Sequence, residues 1–151
     1  MTHQNKYRPS ICKPAFVPKK PIRSFRDLEV YQKTSECSVL VLKFIIPELT
    51  KQKFTLCEGM TNCALSIPLC IAEAHSMRFS DFKTAVATIE KAMRGCNKMI
   101  VYLEQAIGLY GEQVDVSLIQ DLCLRYVAVR GKMLRLERAW QKYKNEKPTD
   151  M

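Results

Sequence analysis

Between Phe82 and Tyr110 the apolar residues recur without a miss. Phe82, Val86, Ile89, Met93, Cys96, Ile100, Leu103, Ile107 and Tyr110 step alternately by four and by three. That step holds a line of side chains on one face of an α-helix, whereas a strand returns to the same face every second residue. The helix implied is about 45 Å long at 1.5 Å per residue. A rod of that length with one greasy face must lie against others of its kind.

Three further stretches supply them. Leu28, Tyr31, Ser35, Ser38, Leu42 and Ile45 recur at threes and fours, widened by Val39, Val41 and Ile46. Pro47 is expected to end this first helix, because proline lacks an N–H and its ring crowds the preceding turn. The chain from Pro47 to Phe54 then reads as a connection. In the second stretch Leu56, Met60, Cys63, Ile67, Cys70, Ala74 and Met77 keep the same rhythm across Pro68. The rhythm does not reset there, so one helix is expected to run through the proline. This costs about 3 kcal/mol, which packing must offset. The last stretch carries Ile119, Leu122, Tyr126, Val129, Met133, Leu136 and Trp140. No segment alternates with period two over any length.

Helix-start signals stand where these rhythms begin. Ser24 precedes Asp27, Thr55 precedes Glu58, and Ser80 and Asp81 precede Phe82. Asp115, or Ser117 with Gln120, opens the last helix, and Gly111 can close the third. The expectation is an all-α fold, an antiparallel up-down four-helix bundle over residues 23–145. Before it lies a basic, proline-containing arm, residues 1–22, expected to be flexible or extended; after it comes a short tail, 146–151.

Charge is the strongest hint about partners. The net charge is +9, and Lys6, Arg8, Lys13, Lys19 and Lys20 place more than half of it in the arm. In the last helix Arg135, Arg138 and Lys142 fall opposite the apolar line, with Arg125, Arg130 and Lys132 flanking it and only Glu137 interrupting the cations. Guanidinium forks suit phosphate, so a nucleic-acid surface is expected from Lys13, Lys19 and Lys20 in the arm together with these six side chains. Tyr7 and Phe16 add rings near the arm's cations. RNA is the expected partner rather than DNA, read through its backbone.

Catalytic patterns are absent. The five glycines are isolated, and the acids are scattered among cations. Cys63 and Cys70 share a helix face, but His75 lies about 140° round from Cys70, so the three assemble neither a zinc site nor a thiol–imidazole pair. The seven cysteines include no closely spaced pair and follow no secretory leader pattern, so they read as reduced core thiols in a cytoplasmic protein without a cofactor. No apolar run reaches the roughly 18 residues of a membrane span. On the third helix a second line, Ala85, Ala92, Met99 and Ala106, lies beside the first. If one line per helix serves the core, this one is left for an oligomer interface.

Two segments, SFRDLEVYQK at Ser24–Lys33 and SIPLCIAEA at Ser66–Ala74, resemble signatures of the bacterial four-helix-bundle family of 23S rRNA intervening-sequence proteins. The match lies in Tyr31, Gln32 and Lys33, in Ser66–Pro68 and in Ile71–Glu73. Relatives usually carry Asn where Cys70 stands and Gly where Ala74 stands. The resemblance spans roughly Arg23 to Gln141 and implies a bundle that often forms a ring of five. A related branch, the accessory variability determinant of diversity-generating retroelements, implies nucleic acid and a reverse transcriptase as partners. The expectation is therefore a non-enzymatic RNA-binding accessory or assembly protein. The alternative is a retroelement accessory protein or scaffold that docks a reverse transcriptase or another acidic protein.

Overall fold

The computed structural model describes residues 21–146, and within them every regular element is helical. Ser24 and Asp27 exchange hydrogen bonds in a capping box, but the box opens only a 3₁₀ turn, Phe25–Asp27. Leu28 is extended, and α1 (Glu29–Leu40) begins after it. A π-helical turn (Val41–Ile45) and α2 (Ile46–Lys51) prolong the same rod. Then follow α3 (Cys57–Met77), α4 (Phe82–Tyr110) and α5 (Val116–Glu146). The rod containing α1 packs on α3 and α5, and α4 packs on the same two, so four long helices enclose one core.

Pro47 does not end the first rod. In the π turn the Ile46 N–H reaches back five residues to the Val41 carbonyl. This resets the register just before the proline, which then sits in the first turn of α2. There its missing N–H has no intrahelical partner to lose. Chain reversal comes later, at Lys53, whose φ is 58°. Phe54 next to it is buried and meets the Tyr110 ring edge-on at 5.9 Å. The Thr55–Glu58 box is not used either. Helix α3 starts at Cys57, with Leu56 at its cap and no side-chain cap bond.

Pro68 lies inside α3, as the unbroken rhythm predicts. The carbonyl it strands belongs to Ala64, which is fully buried. The Ser38 hydroxyl, buried on α1, lies 2.6 Å from that oxygen and 2.9 Å from the Thr34 carbonyl. A hydroxyl has one proton to give, and the shorter contact is to the acceptor that has lost its own helical donor. A serine on one helix thus compensates for a proline on the next. Thr34, also buried, bonds back to the Val30 carbonyl at 2.8 Å, which lets a polar residue occupy a core position.

The second line on α4 is not an oligomer interface. Ala85, Ala92, Met99 and Ala106 are at most 1% exposed within the single chain. With Ile89, Cys96 and Leu103 they make the innermost line of α4, while Val86, Met93, Ile100 and Ile107 flank it, half-buried. The premise of one line per helix fails because α4 lies between α3 and α5 and buries a face wide enough for both. Small residues sit where the backbones come closest. At Gly95 an added Cβ would lie 2.8 Å from Ile67 Cγ1 of α3.

The α4 N-terminus is fixed by Asp81, whose carboxylate accepts from the Thr84 N–H at 3.1 Å and from its hydroxyl at 2.7 Å. Asp115 caps α5, accepting from the Leu118 N–H at 3.0 Å.

Candidate nucleic-acid interface

On α5, Leu122, Tyr126, Val129 and Met133 are buried, so the opposite face meets solvent. Arg135, Arg138 and Lys142 are exposed there, and Arg130 is exposed on the flank. Among the described residues the three arginines make no salt bridge, while Lys142 lies 3.9 Å from Glu146, with both side chains well exposed. Screening leaves such a pair little strength. Glu137, the acid that interrupts the cations, is turned inward and only 5% exposed. Burial and the facing Glu90 carboxyl raise its pKa above the ordinary value of 4.5.

Two of the expected cations are spoken for. Arg125 Nε donates to Asp121 at 2.9 Å and its Nη1 to Glu36 of α1 at 3.2 Å. Lys132 Nζ donates to Glu29 of α1, which also takes Lys33 at 3.0 Å. Hydrogen bonds from Lys132 and Lys33 hold the Glu29 carboxyl below its usual range. Arg125 and Lys132 are therefore interhelical ties between α5 and α1 rather than the polyanion ligands that their spacing suggests. Sequence spacing places them on the flank but cannot show that α1 offers carboxylates there. Lys13, Lys19 and Lys20, with the rest of the arm up to residue 20, lie outside the described residues, as do residues 147–151.

Most of the described cysteines pack as apolar side chains. Burial pushes the Cys37 thiol up to about 11 and Cys96 to about 12, and raises Cys63, Cys70 and Cys123. Such groups stay protonated near neutral pH and are poor nucleophiles. Among the described residues no three His, Cys, Asp or Glu side chains gather as a metal cage. Glu73 is exposed beside a shallow groove with Ala72, Ser76 and Met77. His75 is buried instead, its ring 6.5 Å from that of Trp140. Burial, and then Arg78, keep its pKa below 6.5. No helix among the described residues is long and apolar enough to cross a membrane.

Sequence reasoning misses one feature. At the end of the bundle where α3 turns into α4 and α5 finishes, a cavity of 390 Å³ opens. Its walls are the rings of Phe79, Phe82, Trp140 and Tyr143, with Arg78 and Lys144 beside them. By spacing alone Phe82 and Trp140 read only as members of core lines. The available signal is aromatic density at two sites far apart in the chain, RFSDF at 78–82 and WQKYK at 140–144.

Comparison with known proteins gave no match among family models, curated proteins or solved structures.

Proposed function

We propose that this chain is a non-enzymatic, RNA-binding accessory or assembly protein. In this reading it acts in the cytoplasm as an antiparallel up-down four-helix bundle that associates with itself. The resemblance of its two segments to the rRNA intervening-sequence family supports the reading. The observation that carries it is the outer face of α5: Arg135 and Arg138 are exposed on it and Arg130 on its flank, all three without salt-bridge partners among the described residues, and the intervening Glu137 is buried. Such a face gains free energy from phosphates by releasing counterions, with no need to read bases. Self-association into a ring would multiply a charge of +9 in one assembly. The ring would be held by outward apolar side chains such as Leu69 and Leu124.

Changing Arg135, Arg138 and Lys142 together to Glu tests the reading. RNA affinity should fall, and the logarithmic salt slope should shrink by about 0.7 for each single-strand phosphate that is no longer neutralised. Thermal stability should hold, because these side chains are solvated. Unchanged RNA affinity would remove this face from the mechanism.

A second reading rests on the outward apolar side chains Leu69, Val101, Leu124 and Val127. They suit a scaffold that docks a reverse transcriptase or another acidic protein, with RNA binding secondary. Absence of RNA binding at near-physiological salt would favour it. Solution mass measured at several salt concentrations tests self-association under either reading.

A further inference from the structure

The outward faces of α4 and α5 share one side of the molecule. Glu90 of α4 faces Glu137 of α5, and across the same contact the charges of Arg130 and Glu104 reach Cys96 and Cys123. Residue numbers therefore fall along α5 as they rise along α4. Lys91, Arg94 and Lys98 are exposed, opposite the buried Ile89, Cys96 and Leu103 of their own helix. They span about 10 Å of helix. Alongside them Arg130, Arg135, Arg138 and Lys142 span about 18 Å of α5. Beyond Lys98 the same side turns apolar at Val101, Leu124 and Val127, so the cations gather on one half of it.

Ion pairing separates this half from the rest of the surface. Where α1 meets α5, Lys33, Arg125 and Lys132 are tied to Glu29, Glu36 and Asp121. Lys51 is tied to Glu48. Lys91, Arg94, Lys98, Arg130, Arg135 and Arg138 make no salt bridge among the described residues. Two acids border the α4 line. Glu90 is occupied with Glu137, and Glu73 of α3 is exposed near Lys91, since the charges of both reach Cys70. Cations gathered without counter-charges raise the local potential and draw anions from solution.

We propose that α4 and α5 form one phosphate-binding surface, on which Lys91, Arg94 and Lys98 hold the backbone of an RNA that crosses over from α5. The inference rests on the nucleic-acid reading above and deepens it by adding a second helix to the interface. Packed helices lie about 8–10 Å apart, and phosphates recur along a strand at about 3.4 Å of axis, so a polynucleotide laid across both lines meets several cations at once. A protein partner would instead need an apolar centre to its interface. Within 91–98 and 130–142 the one large exposed hydrophobic is Leu134, at 37%.

The test uses the full-length protein and a short fluorescein-labelled RNA hairpin, with anisotropy followed over a range of salt. Changing Lys91, Arg94 and Lys98 together to Glu should lower affinity at least tenfold at low salt. The logarithmic salt slope should shrink by about 2, at about 0.7–0.9 for each phosphate no longer neutralised. Lys43, Lys51 and Lys53, exposed elsewhere, changed to Glu alter the net charge equally and should cost far less. If the α4 glutamate variant melts lower than the parent, the corresponding glutamine triple carries the same comparison, with a smaller expected loss.

An α4 variant no weaker than the Lys43, Lys51 and Lys53 control would overturn the second helix; loss of binding on changing Arg135, Arg138 and Lys142 would in that case still uphold the α5 face. Absence of hairpin binding by the parent even at low salt would end the nucleic-acid reading and this inference with it. Polyglutamate that displaces the hairpin at equal or lower charge concentration would reassign the surface to an acidic protein.

Discussion

Replacing Ser38 by Ala removes one oxygen and strands another. The Ala64 carbonyl is fully buried, and residue 68, which would supply its helical donor, is a proline. The Ser38 hydroxyl at 2.6 Å is the donor that remains. A buried acceptor left unsatisfied costs about 1–3 kcal/mol, more than the mean net value of a hydrogen bond, because its desolvation is no longer compensated. In a chain of this size each kcal/mol moves the melting temperature by roughly 2–4 °C. Pro68→Ala supplies the control, since it restores an N–H at residue 68 that can reach the Ala64 carbonyl. Urea denaturation of the parent, the two single variants and the double variant closes a cycle. Ser38→Ala should be costly in the parent and nearly neutral beside Pro68→Ala, a coupling of about 1–2 kcal/mol within the range for groups in contact. Equal costs in both backgrounds would show that the serine does not compensate for the proline.

Burial sets three further outcomes. Gly108→Ala and Gly131→Ala meet nothing within 4 Å and should each add about 0.5–1 kcal/mol of helix stability, while Gly95→Ala should lose stability against Ile67 at 2.8 Å; thermal melts separate the two cases. The Tyr126 hydroxyl is fully buried with no hydrogen-bond partner among the described residues, so Tyr126→Phe should leave stability unchanged or raise it by up to about 1 kcal/mol, and a clear loss in urea denaturation would reveal a partner. Glu137 has its pKa raised by burial and by Glu90, so the folded state holds its proton more tightly than the unfolded chain, and stability is lost as pH rises from about 4.5 through the folded value. Glu137→Gln should therefore melt higher than the parent near pH 7, with the difference closing as pH falls toward 4.5. A difference independent of pH would remove ionisation as its cause.

The helices are legible in the apolar spacing alone, and for α3 and α5 so is the face each one buries. Met60, Ile67, Cys70 and Ala74 are buried as their spacing predicts, and so are Ile119, Leu122, Tyr126, Val129 and Met133. Periodicity suffices there because large apolar residues mark the line and polar ones mark its opposite. Along the first rod Leu28, Ser38 and Ile45 are buried as expected, but Tyr31, Ser35 and Leu42 are only half-buried and the preceding residues Val30, Thr34 and Val41 take the inner positions. Thr34 hides this, because a hydroxyl looks polar in a sequence yet is satisfied within its own helix. On α4 two parallel lines are equally apolar, and only the position of α4 between two neighbours decides that both turn inward.

The remaining features depend on residues that meet only after folding. Pro47 and Pro68 look alike in sequence, but one is absorbed by a widened turn in its own helix and the other by a serine 30 residues away on a neighbouring helix. Arg125 and Lys132 look like ligands for phosphate until α1 brings Glu36 and Glu29 against them. The aromatic cavity joins residues 78–82 with 140–144, and no local period relates them. Local spacing fixes which way a side chain points from its own helix; what it meets there is set by how the helices pack, because a hydrogen bond, an ion pair or a stacked ring needs a second group at a defined distance.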